Sequence, residues 1–139
     1  MVVKRIASGI AAAVVIGLAG CATSNGNLTS SAERLERNAA ELQRDARDDG
    51  ASNAYYRDAQ QFADEARDFR RTLEDRHDDR DDVRAAFRDL SDRYHALRDE
   101  VERSSDRDAE VDFKPVTEAY LDVEREMRKY GDRDRYARD

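Results

Sequence analysis

Apolar residues recur at alternating spacings of four and three along most of the chain. The first run is Leu28, Ala32, Leu35, Ala39, Leu42 and Ala46. The second is Tyr55, Ala59, Phe62, Ala66, Phe69 and Leu73. The third is Val83, Phe87, Leu90, Tyr94, Leu97 and Val101. The fourth is Ala109, Phe113, Val116, Tyr120, Val123, Met127 and Tyr130. This spacing keeps one face of a helix apolar and leaves the rest polar, so each run predicts an amphipathic helix. Punctuation agrees with the runs. Ser30 and Glu33 match a capping box, and Gly50 stands where a C-terminal stop belongs. Ser52 or Asn53 is the expected cap of the second helix, Asp78 and Asp79 of the third, and Gly131 the end of the fourth. Pro115 lies inside the fourth run, whose seam continues across it. That predicts one kinked helix, or a short turn feeding a helix that starts near Pro115. Residues 132–139 read as a charged tail that frays.

Four amphipathic helices joined by short links predict an all-α, antiparallel up-down-up-down four-helix bundle over residues 30–131, with coiled-coil-like heptad packing. Folding the first two runs back about Gly50 sets Ala46 against Tyr55, Leu42 against Ala59, Ala39 against Phe62, Leu35 against Ala66 and Ala32 against Phe69. A small residue meets a large one each time, which lets two helices approach closely while filling space. Extending the register through the other turns gives six layers. They are Leu28/Leu73/Val83/Met127, Ala32/Phe69/Phe87/Val123, Leu35/Ala66/Leu90/Tyr120, Ala39/Phe62/Tyr94/Val116, Leu42/Ala59/Leu97/Phe113 and Ala46/Tyr55/Val101/Ala109. No layer contains Asp, Glu, His, Lys or Arg. At 1.5 Å per residue the bundle is about 35 Å long.

The pattern breaks at the N-terminus. Lys4 and Arg5 precede an apolar run from Ile6 to Leu18 that is too short to span a bilayer, which needs about 20 residues. This is the layout of a secretory signal over residues 1–20. It closes on Leu18-Ala19-Gly20-Cys21, which contains the only cysteine of the chain. Those four residues resemble the lipobox of bacterial lipoproteins. The resemblance implies cleavage between Gly20 and Cys21, with lipid attached to the Cys21 sulfur, so the mature protein would be held to a membrane by its first residue. Lipidation would also dispose of a lone thiol that a secreted chain otherwise exposes to oxidation. Ala22-Thr23, with no Asp after the cysteine, resembles Gram-negative lipoproteins sorted to the periplasmic face of the outer membrane. Residues 21–29 then read as the lipidated cysteine and a flexible polar tether, reaching about 15 Å.

Removing residues 1–20 takes Lys4 and Arg5 with it. That leaves 119 of 139 residues and moves the net charge from −7 to −9. Nucleic acid is not an expected partner, since binding it needs a basic face. No cysteine remains for an internal disulfide, so packing must supply the stability.

Little in the helices points to catalysis. The serines of the mature part fall mostly in the tether, at caps or at turns, and there are two histidines in the whole chain. Gly-rich phosphate loops are absent. A haem held by His95 and Met127 is disfavoured, because the register places them about 18 Å apart along the bundle. Asp92 and His95 form a single D-x-x-H, whereas a di-iron bundle needs two Glu-x-x-His repeats and inward glutamates. No cofactor is expected. The acidic turn at residues 74–82 offers His77, Asp78 and Asp81 as candidate ligands for a divalent cation. Helix capping and the helix dipole account for the same carboxylates and are the preferred reading. Tyr55, Tyr94 and Tyr120 sit on the seams and are expected as packing residues with satisfied hydroxyls. The murein lipoprotein family also joins a lipidated cysteine to heptads. Its members, however, are single long helices ending in lysine, and this chain ends Ala137-Arg138-Asp139, so wall attachment by that route is not implied.

These readings converge on a non-enzymatic, lipid-anchored envelope protein with a structural or protein-interaction role. One alternative is a periplasmic module binding a metal or small ligand. Another is an immunity or inhibitor lipoprotein acting on an envelope enzyme through its acidic surface. In each case the tether end would face the membrane, and the turns near Gly50 and Ser105 would point away from it.

Overall fold

The computed structural model describes residues 24–75, 79–104 and 106–136, with side chains over 27–131. The described residues form four helices and no strand. They are α1 (Ser24–Asp48), α2 (Asn53–Glu74), α3 (Arg80–Ser104) and α4 (Arg107–Tyr136). Together they make a four-helix bundle, with α1 packed against α2 and α4, and α3 against α2 and more sparsely against α4. The pairings fix relative directions. Arg34 pairs with Asp122 and the Asn38 amide donates to the Pro115 carbonyl at 2.9 Å, so numbers fall along α4 as they rise along α1. Phe62 meets Tyr94 and Phe69 meets Phe87, so α2 and α3 also run in opposite directions.

The seam residues of all four runs are buried, except Leu73, Phe87 and Tyr130, which are partly buried and packed against the core. Ala63 and Ala119 join the core from positions beside the seam. They are small enough to lie where neighbouring helices close on one another. Among the described residues one charged residue, Glu100, is also buried, and its carboxylate is met by Arg103 at 2.8 Å. Where α3 and α4 stand apart, aromatic rings fill the interval. Tyr94 and Tyr120 stack at 3.8 Å with planes 6° apart, flanked by Phe113 and Phe87. The Tyr120 hydroxyl lies 2.8 Å from Ser91 Oγ, and that of Tyr94 3.4 Å from Thr117 Oγ1.

Several boundaries differ from the sequence expectation. The capping box at Ser30 is not used, because α1 already begins at Ser24 and Ser30 lies inside it. Residues 24–29 are therefore helix rather than tether. Leu28 supplies the reason: it is buried, and burying it extends the helix past the polar residues around it. At the other end, α4 continues through Gly131 to Tyr136, where a stop and a free tail were expected. A glycine ends a helix by adopting a left-handed conformation that bonds the last carbonyls. Among the described glycines only Gly50 has positive φ, and Gly131 stays within the helix. Pro115 lies inside one continuous α4 rather than at its start.

The turns that do close the bundle follow local chemistry. Gly50 has φ +66°, and the Ala51 N–H donates to the Ala46 carbonyl at 3.1 Å, the bond that closes a Schellman motif. Of the two expected caps of α2, Ser52 serves: its Oγ accepts from the Tyr55 N–H at 3.1 Å. Asp79 caps α3, accepting from the Asp81 and Asp82 N–H groups at 2.8 and 3.0 Å. Asp106 does the same for α4, accepting from the Asp108 N–H at 3.0 Å.

Candidate functional site

The sequence-derived candidates divide by position. Gly20 and Cys21 lie outside the described residues, as do His77 and Asp78. Asp81 is exposed on the first turn of α3, where its carboxylate meets Arg84 at 3.2 Å. His95 is exposed with its ring edge-on to Tyr94, while Met127 is buried in the core. No helix among the described residues is long and apolar enough to cross a membrane, and no three of their His, Cys, Asp or Glu side chains converge to hold a metal ion.

A hollow lies at the end of the bundle where the α1–α2 and α3–α4 connections meet. A cavity of about 570 Å³ is lined by Ala46, Asp49, Gly50, Ala51 and Ser52 from the first connection, by Tyr55, and by Asp106, Asp108, Ala109, Val111 and Asp112 from the start of α4. A second hollow of about 370 Å³ shares Tyr55 with the first and adds Glu100, Arg103 and Ser104.

Side-chain volume explains the cavity. The terminal core layer holds two alanines, Ala46 and Ala109, beside Tyr55 and Val101, where the next four layers inward hold one each, and Ala109 stands at a position that carries a larger side chain in every other layer. Tyr55 is 5% exposed, and its hydroxyl has no hydrogen-bond partner. The expectation of a satisfied hydroxyl is met at Tyr94 and Tyr120 and fails here. Leaving such a group unpaired in a buried position costs about 1–3 kcal/mol.

The electrostatics are one-sided. Burial raises the Tyr55 hydroxyl's pKa, and Asp112, Asp106, Asp45 and Asp49 raise it further, so it stays neutral. Asp112 is pushed up from the ordinary carboxylate range, by burial first and then by Asp45, Asp49, Asp108 and Asp106. No basic side chain is among the causes at either residue. Elsewhere on the surface acids and bases alternate, as in Arg70 with Glu36 and Glu74, or Arg98 with Asp99 and Glu102. The acidic hollow at Glu65, Asp89 and Asp92 contains Arg93, whose charge opposes the upward shift of Glu65.

The site therefore combines a neutral buried hydroxyl, a small-residue floor and a rim of carboxylates without counter-ions. Its residues were not singled out by motif. The available signals were the two alanines in a terminal layer and the aspartates on both sides of it. Comparison with family models, curated proteins and solved structures found no match for the chain.

Proposed function

We propose that the chain is a bacterial envelope lipoprotein, cleaved after Gly20, acylated on Cys21 and held at the periplasmic face of the outer membrane, where it acts by binding rather than catalysis. The observation that carries this reading is the ordered series Lys4-Arg5, apolar 6–18 and Leu18-Ala19-Gly20-Cys21. Supporting it, α1 begins at Ser24, three residues past the cysteine. An anchor at Cys21 would then hold the bundle close to the bilayer by one end. The α1–α2 and α3–α4 connections would face away from the membrane, presenting the Tyr55 cavity to the periplasm. Several acyl chains, at about 0.8 kcal/mol per buried CH₂, would make the attachment durable.

The test is processing in the native host. Globomycin should cause the uncleaved form to accumulate, and labelled palmitate should enter the protein but not its Cys21→Ser variant. Cleavage insensitive to globomycin, with no label on the wild-type chain, refutes the anchor.

A second reading, a small-ligand-binding module, is favoured by the Tyr55 cavity rather than by the His77 turn. Its volume lies in the range typical of ligand sites, about 300–1,000 Å³.

A further inference from the structure

One hollow differs in charge from those described above. It measures about 370 Å³ and lies in the groove between α1 and α4, toward the end where α1 begins. The hollows at Tyr55 and at Glu65 are lined by more carboxylates than bases. This one sets Arg34, Arg37 and Arg125 against Asp122 and Glu126, on a chain whose net charge is −7. Both carboxylates are already engaged. Asp122 meets Arg34 through one oxygen and Arg125 through the other, the latter at 2.7 Å. Glu126 meets Lys129 at 2.6 Å. Arg37 makes no ion pair or hydrogen bond with a described residue, and Glu33 and Glu41, one turn away from it on α1, do not line the hollow.

A guanidinium carries five donors, so two of them sharing one carboxylate leave most of their N–H groups unused. Asn27, Ser30 and Ser31 add neutral donors along the α1 wall. Asn27 belongs to the first turn of α1, which has no acidic side chain, so the positive end of the helix dipole adds to the field. The missing partner is an anion with several acceptor oxygens, and a phosphate group meets arginine forks in that way.

We propose that this hollow binds the phosphate of an anionic phospholipid headgroup, with Arg37 as its main partner and with Arg34 and Arg125 donating from the N–H groups that Asp122 leaves open. Place decides for the lipid over free phosphate. Asn27 follows Cys21 by six residues, so at about 3.5 Å per residue it lies within about 21 Å of the lipidated residue. That choice of source rests on the proposed anchor; the anion site itself does not. A headgroup held there would turn the α1–α4 groove toward the bilayer and set the inclination of the bundle. Binding weakens as salt rises, because the arginines are exposed.

The test uses the full-length chain, labelled with ¹⁵N, in dodecyl maltoside micelles. Phosphatidylglycerol is added stepwise, and parallel runs add zwitterionic phosphatidylcholine, or inorganic phosphate without lipid. The arginine Nε–H signals report occupancy. Saturable shifts are expected at Arg34, Arg37 and Arg125 with phosphatidylglycerol, and weaker ones with inorganic phosphate. Arg37→Gln should weaken binding about tenfold and leave the melting temperature unchanged, since it breaks no pair. Arg47→Gln, an equal change of charge in the last turn of α1, should leave binding unchanged. Equal weakening by Arg47→Gln, or equal shifts with phosphatidylcholine, would mean diffuse attraction to the micelle and overturn the site. Inorganic phosphate binding as tightly as the lipid would overturn the headgroup as its source while keeping an anion site. Silence with all three would overturn the site itself. A failed anchor reads differently: no palmitate on the chain, with the arginine shifts intact.

Discussion

Replacing Phe62 with alanine tests whether the core is packed as the layers require. Phe62 is 0% exposed, and its ring centre lies 6.2 Å from that of Tyr94, tilted by 57°. Its layer partners by register, Ala39 and Val116, are also fully buried. Neither is large or flexible enough to move into the space a phenyl ring vacates, so the cavity should persist. Phe→Ala at such a site costs about 3–5 kcal/mol. A domain of this size is stable by about 5–15 kcal/mol in all, so the loss removes a large share of it. At about 4 °C per kcal/mol the melting temperature should fall by about 12–20 °C. Urea titration followed by far-ultraviolet circular dichroism reads the change as a lower midpoint with an unaltered slope. Val111→Ala is the control: Val111 is 63% exposed, and its loss should stay within about 0.5 kcal/mol. A Phe62→Ala cost below about 1 kcal/mol would refute the packing argument, since it would mean that the site collapses freely or was never filled.

Tyr55→Phe removes a buried hydroxyl that has no partner, so it should stabilise the fold, by about 1 kcal/mol, in the same urea assay. Asp112→Asn should raise the melting temperature at neutral pH. The folded pKa of Asp112 is raised, so ionising it costs stability; that penalty is absent below the unfolded pKa of about 3.9 and grows as pH rises through the folded value. The gain over wild type should therefore vanish in melts run below about pH 4. Two glycines should respond with opposite signs. Gly50→Ala forces a side chain into left-handed backbone and should cost about 1–2 kcal/mol. Gly131→Ala removes a flexible residue from a helix interior with open space around its Cβ position, and should gain about 0.5–1 kcal/mol.

The helix seams were legible because burial in a bundle leaves a periodic trace, and every residue of the four runs is buried or packed on the core. Gly50 was legible because its turn demands a conformation that favours glycine. Gly131 misled because the same residue type is tolerated in a helix where no turn is required. The start of α1 was obscured by residues 24–27, whose polarity suits a tether, while one leucine beyond them decides the matter by its burial. The Tyr55 cup was the least visible feature. It arises from what a layer lacks, a larger side chain in place of its second alanine, combined with charges brought together from separate turns. The same tyrosine type on α3 and α4 finds Thr117 and Ser91, so residue identity alone could not tell a satisfied hydroxyl from an orphaned one.

The proposed anchor is tested most directly by the intact mass of the protein recovered from envelope membranes. The mass predicted is that of a chain beginning at Cys21 and carrying a diacylglyceryl group and a further acyl chain. A mass matching an unmodified chain, or an N-terminus at any residue other than Cys21, would contradict it.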